Sequence, residues 1–511
     1  MKAYIKYATC LLLAVLVGAC TDNFEEINTN PNQPPVVPTS ALLTSAQKQL
    51  MDHTWDEWTN GRRGMQLAQY WSSNQYSDES RYAFRSSISN NYWIYFYAGR
   101  GAIDASTPNG GGMRDLDEII RLNEEFPEQN AGSFGTNDNQ IAVARALKVW
   151  IMQIVTDTWG YAPYSQALQI EEYPNPAYDS QEEIYRTFLT QLTDANDRIE
   201  LEGAGPAGDA IYGGDMMKWK KFVNSLKLRV AMRMADRDPA TAGAAVAEAV
   251  AAGVMESNAD NALFPYLPSA PNNNPLNEDF KTRNDFAVSN VLIDKLKELN
   301  DPRIGFYAAP TTNSVAAGTP EYVGEVYGLD EIRAAATQDD AISQRSAQVL
   351  AADAPGIYMQ YAEVAFLLAE AVERGFIGGS AADYYNQGVT ASMNYWNDGS
   401  VDAAGIAAYL AQPNVNYAAQ IAAGEPWNVV IGEQKWLSLY MQGIEAWSEY
   451  RRLDFGILQM PADGPLEGTG IPLRLIYPLD EQSANEESYQ AAVAAQGPDE
   501  PDTPLWWDVN N

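Results

Sequence analysis

Apolar residues recur at intervals of three or four along most of the chain, and the strict alternation of a half-buried strand is scarce, so the pattern predicts a mainly α-helical protein. The clearest runs are Ile141 to Thr158, Glu182 to Ile199 and Met216 to Met234. In the first, Ile141, Ala144, Leu147, Ile151, Met152 and Val155 share one face, with Arg145 and Lys148 at its margin, which predicts a helix packed against another helix. From Tyr358 to Trp396 one apolar helix stops at Gly375 and Gly378-Gly379 and a second starts at Ser380, as in a helix hairpin. Asp215 to Met255 has the same layout around Asp238-Pro239. Two segments break the period, Phe264 to Phe286 and Ala309 to Arg345, both rich in Pro, Asn, Gly and Thr, and loops or short strands fit them. Compact domains seldom keep irregular stretches this long without a use for them, so ligand contacts are expected there.

The amino terminus follows a different logic. Lys2 and Lys6 precede CLLLAVLVGA, an apolar run too short for a membrane-spanning helix of ~20 residues but suited to a secretory signal. It ends in Leu16-Val17-Gly18-Ala19-Cys20, small residues before a cysteine, which resembles the lipobox of bacterial lipoproteins and predicts cleavage before Cys20 and acylation of that residue. The domain plan is then a signal peptide over 1–19, a lipidated flexible tether over 20–38, rich in Asn, Pro and Gln from Asn28 to Pro38, and one domain over 39–511. Cleavage also removes Cys10, leaving neither a free thiol nor a disulfide. Asp22, Glu25 and Glu26, just after Cys20, resemble the acidic signal that sends Bacteroidota lipoproteins to the cell surface, which places the protein on the outer membrane, lipid-anchored and surface-exposed.

Charge narrows the partners. Lys and Arg number 33 against 67 Asp and Glu, a net charge of −34 that becomes −36 once Lys2 and Lys6 are removed. Such a surface repels nucleic-acid phosphates and anionic lipid, so neither is an expected partner. Catalytic chemistry is poorly supplied. The single histidine, His53, excludes a two-histidine metal motif, and beside Asp52, Trp55 and Asp56 it reads as an exposed or capping residue. Gly110-Gly111-Gly112 lacks the strand before it and the Lys-Ser/Thr after it that a phosphate loop needs. Asn137-Asp138-Asn139 lacks the glycine and closing glutamate of an EF-hand, so a structural calcium ion has no identifiable ligand set. No catalytic residue, metal site or cofactor is therefore expected. Two carboxylates suffice to hydrolyse a glycoside, however, and a surface glycoside hydrolase stays open as an alternative.

The segments DTWGYAPYSQAL (Asp157 to Leu168), NPAYDSQEEIY (Asn175 to Tyr185), DMMKWKKFVNSLKLRVAMRM (Asp215 to Met234), MQYAEVAFLLAEAVERG (Met359 to Gly375), QKWLSLYMQGIEAWSEYRR (Gln434 to Arg452) and IPLRLIYP (Ile471 to Pro478) together resemble the SusD/RagB family, in its SusD-like branch. FEEINTNPNQPP (Phe24 to Pro35) and the closing Pro504-Leu505-Trp506-Trp507 extend the resemblance over nearly the whole chain. The resemblance implies about four tetratricopeptide-like helix pairs as scaffold, each unit ~34 residues long, and an irregular ligand-binding part. It further implies a non-enzymatic nutrient-binding lipoprotein that captures a glycan and acts as lid on a SusC-like TonB-dependent transporter, the helical-repeat side facing the barrel. A peptide-binding lid of the same architecture is the runner-up. Trp159, Trp219, Trp436, Trp447 and the Arg451-Arg452 pair sit in helical patterns and read as scaffold.

Ligand residues differ widely in that family, so they are read from chemistry. Sugars present flat C–H faces that stack on aromatic rings and hydroxyls that pair with amides, carboxylates and guanidinium groups. Two stretches supply both: Gln69 to Tyr82, with Trp71, Asn74, Tyr76 and Tyr82, and Phe264 to Phe286, with Tyr266, Asn272, Asn273, Asn274, Phe280, Arg283 and Asp285. Trp71 and Tyr266 are the leading stacking residues. The competing reading, that these rings pin the loops to the core, weighs most on Phe280 and Phe286, which lack a polar handle.

Overall fold

The computed structural model describes residues 37–99, 110–130 and 133–509, in two units, of which Thr39–Asn511 holds the folded body. The expected signal peptide, Cys20 and all but the end of the tether lie outside the described residues.

The body is mainly helical. Its longer helices are α1 (Thr39–Trp55), α2 (Ser86–Ala98), α3 (Gly112–Glu125), α4 (Asn137–Trp159), α5 (Gln181–Arg198), α6 (Met216–Arg233), α7 (Pro239–Ala252), α8 (Tyr361–Glu373), α9 (Ala381–Trp396), α10 (Trp427–Ser438) and α11 (Gly443–Leu453). Local chemistry sets their ends. Thr136 caps α4, Ser180 and Glu183 form a capping box on α5, Asp215 accepts from Met217 N and Lys218 N to start α6, and Ser380 caps α9. Gly160, at φ +91°, ends α4 in a conformation that a side chain would resist. Successive helices pack as α4 with α5, α6 with α7, α8 with α9 and α10 with α11, the four pairs that the resemblance implied. Four short strands complete the fold, β1 (Trp71–Ser73), β2 (Ala262–Phe264), β3 (Phe286–Val288) and β4 (Gly356–Met359), joined as the two-stranded sheets β1–β3 and β2–β4.

One apolar core runs through the body and encloses Trp159, Trp219, Trp436 and Trp447. At its centre lies a buried charge network. Arg452 pairs with Glu370 at 2.5 Å and with Glu449 at 2.6 Å, Lys435 reaches Glu449 at 2.6 Å, and Arg233 contacts Glu449, Glu445 and Asp157. These groups come from α4, α6, α8, α10 and α11, so the network fixes the pairs to one another. Burial pushes the Glu449 carboxyl up, but Arg452, Lys435 and Arg233 together hold it well below the usual carboxylate range. Trp507, near the end of the chain, donates to Asp157 Oδ1 at 2.9 Å and closes this network.

The Arg451 guanidinium lies 3.4 Å from the Trp447 ring centroid and donates to the Leu473 and Asp157 carbonyls, and burial lowers its pKa to about 9. His53 departs from the expected exposed position. It is buried, not exposed, and its ring stacks on Tyr95 at 4.3 Å.

Candidate functional site

The two stretches singled out by composition meet in space. Strand β1 pairs antiparallel with β3, Trp71 opposite Val288 and Ser73 opposite Phe286, and the contact continues as Asn74 N and Gln75 N donate to the Asp285 carbonyl at 3.0 and 3.4 Å. A short irregular sheet thus replaces helical packing on this face of the body.

Most of the selected residues hold that sheet together. Trp71 is fully buried, with its ring 5.9 Å from both Phe280 and Phe286 and its Nε1 donating to Tyr440 Oη at 3.1 Å. It cannot offer a face to a sugar in this conformation, and the expectation that it leads the stacking is corrected. Tyr266 is likewise buried, and its hydroxyl donates to Asp52 Oδ1 at 2.9 Å on the flank of α1. Tyr82 is buried in a left-handed turn at φ +70°, its hydroxyl accepting from Gln69 Nε2 at 2.9 Å. Phe280 is half-buried under the Arg345 guanidinium, 4.4 Å from its ring centroid. The amides are engaged too. Asn74 donates to Asp339 Oδ1 at 2.9 Å, Asn273 to Glu278 at 2.8 Å and Asn274 to the Ala354 carbonyl at 2.8 Å, while Asn272 is exposed. The second irregular segment, 309–345, braces the site from beneath: Glu325 pairs with Ser289 beside β3, and Glu331 accepts from Ser77 N at 2.8 Å.

Of the selected aromatic rings, Tyr76 is the one open to solvent, at 46% exposure and φ +54°. A tyrosine in the left-handed region is uncommon, and Tyr76 adopts it in the bend that follows β1. Arg62, Arg85 and Arg283 surround that ring, their guanidinium carbons 5.7, 5.7 and 5.6 Å from its centroid. Arg62 is buried and tied to Glu57 at 2.8 Å and Asp285 at 2.7 Å, and Arg283 reaches Asp285 at 2.6 Å. Glu79 sits 3.5 Å from Arg62 and 3.6 Å from Arg85, and burial raises its carboxyl pKa. Of the selected residues, Tyr76, Arg283 and Asp285 are brought together, whereas Tyr266 and Asn272 to Asn274 belong to a neighbouring loop.

Arg62, Arg85 and the half-buried Trp58, 4.7 Å from the Arg62 guanidinium, were missed by the sequence reading. The available signal was the scarcity of basic residues: in so acidic a chain, arginines falling at 62, 63, 85 and 283 deserve grouping. Arg62 stands on a π-helical turn, Glu57–Gly64, capped by Asp56, which accepts from Thr59 N at 2.7 Å. Burial pushes the Asp56 carboxyl up to about 8 and that of neighbouring Asp279 to about 6.

A larger cleft of about 620 Å³ lies elsewhere, between α3, α4 and α5. Within it Lys148 pairs with Asp117 and Arg121 with Glu118 and Glu125, and Tyr164 is its one aromatic ring, so it offers a sugar fewer stacking faces than the aromatic loop face does. Among the described residues no group of three or more His, Cys, Asp and Glu is placed to hold a metal ion, and no helix is long and apolar enough to cross a membrane.

Comparison with known proteins bears on the family and the fold. The SusD-like family described as starch-binding and associating with the outer membrane matches residues 31–478. Among solved structures, a chitin-binding protein is 29% identical and superposes with a TM-score of 0.78 over 92% of this chain and 100% of its own. A SusD homologue from Bacteroides uniformis is 26% identical, with a TM-score of 0.77 over 92% and 99%. Another from Bacteroides thetaiotaomicron is 25% identical, with a TM-score of 0.74 over 93% and 99%. No match was found among curated proteins.

Proposed function

Because the chain belongs to the SusD-like family of starch-binding, outer-membrane-associated proteins, we propose that it captures a glycan on the face around Tyr76 and delivers it, as a lid, to a SusC-like TonB-dependent transporter. The observation that carries this reading is the half-exposed Tyr76 ring, in the bend after β1, with partly exposed Arg85 and Arg283 beside it. An aromatic face for C–H stacking and guanidinium donors at its edge are the two elements that sugar binding needs. Similarity to a chitin-binding protein agrees with a carbohydrate ligand.

In this reading the protein binds without catalysis. Glu57, Glu79 and Asp285, the carboxylates that engage Arg62, are buried, a poor arrangement for an acid and a base that must reach a glycosidic oxygen and a water. Anchoring would come from the lipid on Cys20, with the 20–38 tether leaving the body free to hinge over the barrel. Electrophoresis of the protein through gels containing single polysaccharides, with a peptide pool as control and reducing ends assayed in parallel, tests the reading. Retardation by a polysaccharide without release of reducing ends is expected; binding of peptides alone would make the runner-up correct, and release of reducing ends would make the protein an enzyme.

A further inference from the structure

Basic side chains gather around Tyr76 in a chain that has few of them. The whole chain carries −34, yet Arg62, Arg85 and Arg283 all face one ring, and Arg63 and Arg345 lie against the same loops. Arg345 donates to the Phe286 carbonyl, Gln344 and Asn284, and Arg63 to Ser89 Oγ and the Arg85 carbonyl, so neither guanidinium is engaged by a carboxylate in these contacts. Arg62 is balanced by Glu57 and Asp285, and Arg283 donates through Nε and Nη2 to the same Asp285 Oδ2, so two guanidinium groups share that one carboxylate oxygen. Among the described residues the one carboxylate that Arg85 meets is Glu79, at 3.6 Å, beyond a close hydrogen bond. Its side chain is 45% exposed and that of Arg283 is 38% exposed, both beside the open ring.

A neutral sugar needs no such arrangement, since amides and hydroxyls bind its hydroxyls without the cost of gathering like charges. Guanidinium groups flanking a stacking ring match instead a sugar that carries a carboxylate or sulfate, because the planar fork donates two parallel hydrogen bonds to either group. We infer that the ligand is an anionic glycan, a uronate or sulfated sugar whose ring lies on Tyr76 and whose charged group is held by Arg85 and Arg283. This rests on the glycan-capture reading and adds the substrate class to it.

The test uses the full-length protein in mild detergent, titrated with polygalacturonate and chondroitin sulfate as anionic probes and with soluble starch and laminarin as neutral ones. Binding to at least one anionic probe is expected. It should weaken severalfold between about 50 and about 500 mM salt, as screening acts on exposed charges. The Arg85→Ala/Arg283→Ala double variant, in which only exposed side chains change, should lose about tenfold or more of that affinity, equivalent to one charge-assisted hydrogen bond. Binding of starch or laminarin alone, or anionic binding indifferent to both salt and the double variant, would overturn the inference while leaving glycan capture in place. Failure of all four probes alongside peptide binding would overturn both. The two anionic arms separate the sources: polygalacturonate alone indicates a uronate, chondroitin sulfate alone points to the sulfate.

Discussion

Truncating Trp71 and truncating Tyr76 should give opposite signatures. Trp71 is fully buried between Phe280 and Phe286 and donates to Tyr440 Oη at 3.1 Å. Trp71→Ala therefore removes a large apolar side chain from a closed site and one hydrogen bond, for a loss of about 3–5 kcal/mol from the cavity and burial terms and about 1 kcal/mol from the bond. Tyr76 is 46% exposed and lies over solvent-facing arginines. Tyr76→Ala should move stability by no more than about 0.5 kcal/mol, yet weaken glycan binding severalfold, since a stacked ring is worth about 0.5–1.5 kcal/mol. Denaturant unfolding followed by circular dichroism, paired with calorimetry on a bound glycan, reads both quantities on each variant. A stable Trp71→Ala protein, or a Tyr76→Ala protein that binds as tightly as wild type, would refute the division of these rings into pins and contacts.

Other outcomes follow from the charge network, the buried acids and the anchor. Glu449→Gln leaves Arg452, Lys435 and Arg233 without their shared buried carboxylate and should destabilise by about 3–5 kcal/mol in denaturant unfolding. In wild type, the depressed Glu449 carboxyl contributes stability present above its unfolded pKa and lost as pH falls through the folded one, so acid unfolding should be shallower in the variant. Asp56 has the opposite sign: its folded pKa of about 8 lies above the ordinary 3.8, so the folded state holds a proton that the unfolded chain has released, and stability falls as pH rises across that window. Asp56→Asn keeps a capping oxygen and should flatten the stability profile over the same range, with stability at pH near 8 no lower than wild type; an unchanged slope would contradict the burial argument. Cys20→Ala should release the protein from washed membranes, and labelled palmitate should enter wild type only.

Helix placement was legible because it depends on local chemistry. The stop at Gly375, the start at Ser380 and the hairpin around Asp238-Pro239 are each specified within a few residues, and the structure keeps all three. The fold class followed from period and resemblance together. The loop face was legible as a place but not in its detail. Composition located both stretches, yet whether a ring points in or out is decided by partners far away in sequence: Trp71 is held by Tyr440 and Phe286, and Tyr266 by Asp52. With only three residues in each strand, no alternation existed from which to read an inner and an outer side. The arginine cluster was hidden for a related reason, since it depends on the positive φ of Tyr76 and on a π-helical turn that bring Arg62, Arg85 and Arg283 to one ring.

The most direct test of glycan capture on this face is hydrogen–deuterium exchange of the protein with and without a polysaccharide that retards it in gels. The account predicts slowed exchange in residues 74–85 and 280–286, with the α3–α5 cleft unchanged; protection confined to that cleft, or none on the loop face at saturating ligand, would contradict it.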